Sequence, residues 1–293
     1  MKKPYKILWW LSMLIALPAF GANVKVMSFN IRFDNPKDTA LNSWVARCMP
    51  CSLMFQSVRP DVIGMQEPRG DKQIADIKAM LPEYVAIETV VPENVNVNKA
   101  GRIMLFYRAD KYVLKSKGQF WLNDNPEVPA PSFETTDKNN LRAALWMRLQ
   151  DKATGKNFYL ATTHFPYKRA AEDDTAREKC AALIVAKMKK IAGEKATVFV
   201  TGDMNASFEM GDIHRLSVRP FFEWMRSARE MARESENKST FNGFKVPDHE
   251  QPKVLDHIFY RNAEPMKFVV HDEDCYGVPL ISDHFPIVCD FEY

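Results

Sequence analysis

The 293-residue chain contains no internal repeat, low-complexity tract or long linker after residue 21, which excludes solenoid and array architectures. It also lacks a dominant charge. Lysine and arginine number 40 against 37 acids, and Lys2, Lys3 and Lys6 lie in an acid-free N-terminal stretch, so the remainder is balanced. Without a global basic field, any binding of nucleic acid must come from a local patch. No apolar run reaches the roughly 20 residues of a membrane-spanning helix; the longest is Ile7–Leu17. Cys48-Met49-Pro50-Cys51 has no second CxxC pair elsewhere, which excludes a four-cysteine zinc site. With 46% apolar and 26% charged residues, the chain is expected to be globular rather than disordered.

The basic start, the apolar run and the small-x-small end at Ala19-Phe20-Gly21 form the pattern of a secretory signal peptide. The expected organisation is a signal peptide over residues 1–21 and one domain over 22–293, exported to the periplasm or secreted. No cysteine stands at the cleavage point, so a lipid anchor is not indicated. The other four cysteines after Cys48 are Cys51, Cys180, Cys275 and Cys289. Trp44, Cys48, Cys51, Phe55 and Val58 recur at intervals of 4, 3, 4 and 3, which is one helical face. Core packing of both thiols is favoured, with a disulfide as the alternative. Pro50 predicts a kink or a late helix start.

Short apolar or alternating runs predict strands at 24–31, 62–66, 84–89, 103–107, 141–149, 157–162, 197–201, 256–260, 268–271 and 285–291. Helical spacing predicts helices near 43–58, 71–81 and 172–192, with a weaker one over 219–233. Segments 123–140 and 234–252 read as surface loops. So many strands against so few helices favour a mixed β-sandwich with helices outside over a simple alternating parallel sheet.

Polar residues end these strands. Val24–Phe29 runs into Asn30, Val62–Gln66 into Glu67, Phe158–Thr163 into His164, and Thr197–Gly202 into Asp203-Met204-Asn205. Asp256-His257 opens one strand and Ser282-Asp283-His284 precedes the last. Singly, each is a common turn or cap residue. Together they place carboxylates, amides and imidazoles at strand ends, where sites are usually built. Glu67, Asp283 and the Asn30 amide would make the oxygen-rich site that magnesium prefers.

Met27–Arg32, Asp61–Glu67, Thr163–Phe165, Thr201–Asn205, Leu255–Phe259 and Ser282–Pro286 occur in this order. This series resembles the endonuclease/exonuclease/phosphatase (DNase I-like) superfamily and its exported bacterial branch. The resemblance implies a four-layer α/β/β/α sandwich and a metal-dependent phosphoric-ester hydrolase using Mg2+ or Mn2+. It implies Glu67 as the principal metal ligand with Asn30 and Asp283 beside it. It further implies Asp203 as the residue that orients and deprotonates water, Asn205 as a donor to phosphate, and His284 paired with Asp256 as phosphate ligand or base. His164 and Arg142 are implied to stabilise the phosphorus centre or leaving group. Two positions depart from the pattern: Gly101 stands where relatives carry an acid beside the His164 equivalent, and Phe165-Pro166-Tyr167 replaces the usual residues after Thr-His.

The expected substrate is a phosphate ester: nucleic acid, lipid headgroup or sugar phosphate. A phosphodiesterase or nuclease is the first reading and a phosphomonoesterase the alternative, with a binding protein carrying a decayed site as a third. A monomer without a stable protein partner is expected. Arg102, Lys138, Arg142, Lys168 and Arg169 are candidates for a local basic patch. Phe120, Trp121, Phe165, Tyr167, Phe241 and Phe244 are candidates for a pocket wall.

Overall fold

The computed structural model describes residues 21–293 except 39, 94, 96–101, 134, 137–140, 208–214, 247–249 and 273–276. In chain order the first elements are β1 (Asn23–Asn30), α1 (Trp44–Val58), β2 (Val62–Gln66), α2 (Asp71–Met80), β3 (Tyr84–Glu88) and β4 (Ile103–Arg108). Next come β5 (Tyr112–Trp121), β6 (Ala143–Asp151), β7 (Asn157–His164), α3 (Ala171–Ala192) and β8 (Thr197–Asp203). The last are β9 (Arg226–Ser227), α4 (Ala228–Met231), β10 (Glu234–Ser235), β11 (Asp256–Arg261), β12 (Glu264–Val270) and β13 (Ile287–Glu292).

These strands form two mixed sheets, ordered β10-β12-β13-β1-β2-β4-β3 and β5-β6-β7-β8-β11-β9. Their inner faces share one core, including Val26, Leu105, Met147, Leu160, Phe199 and Ile258. Met27, Phe29 and Ile63 on the outer face of the first sheet pack with Trp44, Met54 and Ile77 of α1 and α2. Val198 and Val200 do the same for the second sheet with Cys180, Ile184 and Met188 of α3. This is the expected four-layer α/β/β/α sandwich. Central strands buried on both faces appear in sequence as nearly continuous apolar runs, as in β1 and β8. At Gly64 the sheets approach so closely that a Cβ would lie 2.6 Å from Thr162 Oγ1 and closer still to Thr201 Oγ1, so only glycine fits.

Several expectations need correction. β5 was not predicted, because its middle, Lys115–Gln119, is polar and it lies at a sheet edge where one side meets water. The helix expected over 219–233 is instead a 3-10 segment at Arg215–Glu223, containing Pro220, followed by β9 and the single turn α4. The segment 234–252 begins with the short strand β10. Helix α1 runs without a break through buried Pro50; the lost backbone hydrogen bond is offset by burial of Trp44, Met54 and Phe55 beside it. Cys51 is buried, Cys48 is half-buried, and both are free, as are Cys180 and Cys289; Cys275 lies outside the described residues. Burial pushes the Cys51 and Cys180 thiols up to about 12, which makes them inert core residues.

Candidate active site

Backbone pairing aligns one half of the site. The parallel pairing of β7 with β8 sets His164 opposite Asp203, and the antiparallel pairing of β8 with β11 sets Asp256 opposite the same residue. Side chains opposite one another on neighbouring strands share a face, so an imidazole and two carboxylates form a row at the rim of the second sheet. The first sheet supplies Asn30 at the end of β1 and Glu67 just after β2. The segment before β13 supplies Asp283 and His284. Ser282 joins the two segments, its Oγ donating to the Asn30 carbonyl at 2.7 Å.

Asp203 is the hub. Its Oδ2 accepts from Asn30 Nδ2 at 2.9 Å and lies 3.3 Å from His164 Nε2 and 3.6 Å from His284 Nε2. Its Oδ1 accepts from the Asn205 backbone N–H at 3.0 Å. Burial pushes this carboxyl up, against the His284 charge and with help from Asp256, to about 6. His284 Nδ1 lies 2.8 Å from Asp256 Oδ2. Burial opposes a charged ring there, but Asp256 and Asp203 overcome it and raise His284 to about 10. Burial, with Arg142, His284 and Arg69 nearby, drives His164 well below its ordinary value. Its Nδ1 is buried and has no hydrogen-bond partner among the described residues. Gly101, which stands where relatives carry an acid, lies outside those residues.

The carboxylates of Glu67 and Asp283 form the other half. Burial raises the Asp283 carboxyl, with Glu67 raising it further and His284, Arg32 and Arg47 opposing. Arg32 Nη1 sits 3.2 Å from Asp283 Oδ2 and also interacts with Glu67. Glu67 Oε2 accepts weakly from the Phe33 N–H at 3.4 Å. Arg32, Glu67 and Asn205 have φ of 58°, 66° and 49°, a left-handed conformation uncommon for such residues and typical of constrained sites. The fully buried Arg47 stabilises this corner by donating to the carbonyls of Ile31, Arg32, Asn42 and Ile281.

Asp203, Asp256 and His284 have donor atoms within 4.8 Å of one another and could together hold a metal ion. A charged imidazole has no free lone pair, however, and the His284 Nδ1 is engaged with Asp256, so this trio is better described as an acid–imidazole relay. The hard oxygen donors Glu67 and Asp283, which act on one another through their charges, fit a magnesium-type ion. Asn30 has a double role: its Nδ2 orients Asp203, while its Oδ1 accepts from the Arg32 N–H at 3.0 Å and keeps one lone pair for such an ion. The Asn205 Nδ2 donates to the Phe165 carbonyl at 3.2 Å, and Arg142 is buried beside His164.

The remaining sequence candidates divide. Phe120, Trp121 and Phe165 are buried in the core, whereas Phe241 meets the His284 ring edge-on at 4.9 Å. Phe244 lies against Arg47, and Tyr167 is exposed. Of the basic patch, Arg169 Nη1 bonds the Asn205 carbonyl at 3.2 Å, and Lys138 lies outside the described residues. The sequence reading assigned no role to Arg32, Arg47 or Arg69. Arg32 and Arg69 each follow a strand-ending site residue, Asn30 and Glu67, by two positions, which is the signal that could have marked them.

A family profile for the endonuclease/exonuclease/phosphatase family matches residues 27–284. The chain belongs to this family. Its members are phosphoric-ester hydrolases. A family member from Bacteroides vulgatus is 30% identical, with TM-score 0.77 over 92% of this chain and 99% of that one. A mannosyl-6-phosphatase from Bacteroides thetaiotaomicron is 26% identical, with TM-score 0.77 over 92% of this chain and 100% of that one. D. rerio TDP2, solved with a single-strand DNA product, is 18% identical, with TM-score 0.68 over 93% of this chain and all of that one, and shares the fold. No curated protein matches the chain significantly.

Proposed function

We propose that this endonuclease/exonuclease/phosphatase-family chain is a divalent-metal-dependent phosphoric-ester hydrolase using in-line attack by water. The observation that carries this reading is the row His164–Asp203–Asp256 with His284 locked onto Asp256. Asp203 is the general base: with its carboxyl near 6 it is ionised at neutral pH and placed to take a proton from water. His284, charged and held by Asp256, donates to a phosphoryl oxygen. His164 is neutral and contributes a hydrogen bond rather than a proton, and Arg142 offsets charge on a second oxygen. A divalent ion held by Glu67 and Asp283, with the Asn30 oxygen beside them, would neutralise charge developing on the phosphoryl and leaving oxygens. A decayed binding site is disfavoured, since Asp203, Asn205, Asp256, Asp283 and His284 remain packed as one unit.

A phosphodiesterase or nuclease of this type acts on nucleic acid or a lipid headgroup. A second reading, a sugar phosphomonoesterase, is favoured by the likeness to the mannosyl-6-phosphatase. The test is a screen of metal-stripped protein, with Mg2+ or Mn2+ restored, against DNA, RNA, sphingomyelin, phosphoinositides and sugar phosphates. Hydrolysis is expected on metal addition and is lost in Glu67→Ala and Asp203→Ala. Turnover that persists in a chelator, or is undiminished in Glu67→Ala, defeats the reading. We further propose export, since residues 1–21 carry the signal pattern. N-terminal sequencing of the exported protein should begin at Ala22.

A further inference from the structure

Arg69 is a cation beside the site to which the chemistry above gives no task. Its guanidinium stacks 4.0 Å from the centre of the Phe33 ring, and its backbone N–H donates to Gln73 Oε1 at 2.9 Å. Gln73 is buried; its Oε1 also accepts from the Asp34 N–H at 3.2 Å, and its Nε2 donates to the Arg32 carbonyl at 3.0 Å. Both the backbone and the side chain of Arg69 are therefore tied to the segment after β1.

The guanidinium makes no hydrogen bond and no ion pair within 4.0 Å among the described residues, and the Glu67 carboxylate acts on it only at longer range. Its neighbours differ: Arg32 pairs with Asp38 and Asp283, Arg47 with backbone carbonyls, and Arg169 with the Asn205 carbonyl. A half-buried donor fork held in place without an acceptor is preorganised for an external anion. Arg69 follows β2 of the first sheet and Arg142 precedes β6 of the second, and the charge of each acts on His164. A phosphodiester carries one negative charge, whereas a phosphomonoester carries close to two at neutral pH and exposes a third terminal oxygen. In a diester, the second ester substituent takes the place of that oxygen.

We propose that Arg69 is a specificity-determining residue that grips the additional anionic oxygen of a phosphomonoester, supplying from the first sheet a second cation beside the one Arg142 brings from the other. The preferred substrate class is thus a phosphomonoester dianion. The proposal rests on the hydrolase reading for its catalytic consequence, but not for its binding consequence.

The test compares kcat/KM for p-nitrophenyl phosphate and bis-p-nitrophenyl phosphate in the wild type, Arg69→Met and Arg69→Lys, with Glu67→Ala as the control for the hydrolase reading. The wild type should prefer the monoester. The monoester-to-diester ratio should fall by about thirtyfold in Arg69→Met, the scale of a lost charge-assisted hydrogen bond, and recover in part in Arg69→Lys. In metal-stripped protein, titration with inorganic phosphate should show affinity reduced by about tenfold or more in Arg69→Met, with dimethyl phosphate much less affected. A wild-type preference for the diester, an unchanged ratio in Arg69→Met or unchanged phosphate binding overturns the proposal. If the wild type cleaves neither ester, the hydrolase reading fails, and the phosphate titration still decides the role of Arg69. Thermal melts establish that each variant is folded.

Discussion

His164 and His284 are both buried, and each has its Nε2 within 3.6 Å of the same Asp203 oxygen, yet the surroundings favour the cation only at His284. His284 has Asp256 on its other nitrogen at 2.8 Å; His164 has no partner there among the described residues and feels the charges of Arg142 and Arg69. Burial disfavours the charged ring at both positions, so desolvation cannot be what distinguishes them. The second partner of each ring does, and it separates a cationic donor from a neutral one within a single pocket.

This contrast can be tested by removing its parts. Asp203 serves both rings, so Asp203→Ala should have the largest effect, lowering kcat by about a thousandfold or more in steady-state assays, on the scale of a lost general base. Asp256→Asn removes the charge behind His284 only. It should lower kcat by about a hundredfold while leaving the His164 ring neutral by 15N chemical shift. His164→Gln keeps a neutral donor and should cost only about tenfold; a loss as great as that of Asp203→Ala would mean that His164 transfers a proton.

The smallest effect is on stability. A histidine whose folded pKa lies below its unfolded value of about 6.5 leaves the native state short of a proton as pH falls, so stability present above that value is lost below it. Between pH 7 and pH 5, urea melts of metal-stripped protein should show the wild type losing more stability than His164→Gln. Equal losses would show that His164 takes up its proton in the folded protein.

Much of the site was legible because each residue ends a short, strongly apolar run. Glu67 after Val62–Gln66 and Asp203 within Thr197–Asn205 are local patterns that need no knowledge of tertiary contacts, and their order along the chain supplied the family. The charge states were not legible, since His164 and His284 differ only in neighbours many residues away. Nor were the arginines: Arg47 reads as one more polar residue in α1, and its burial depends on four carbonyls from three segments. Edge strand β5 escaped detection because one side faces water, and Phe120, Trp121 and Phe165 were misplaced because an aromatic beside a site and one beneath it look alike in sequence. The helix expected over 219–233 failed because a long-range pairing intervenes: Arg226 and Ser227 join β11 as a strand in the middle of that span.

The alignment of His164, Asp203 and Asp256 across three adjoining strands has an evolutionary consequence. Their spacing is fixed by main-chain pairing in the middle of a sheet, so the surrounding loops can change length or composition without disturbing it. Selection can therefore exchange what the enzyme recognises while inheriting intact how it reacts. Grafting the loops of one family member onto another should carry across preference for a substrate and leave the reaction itself in place.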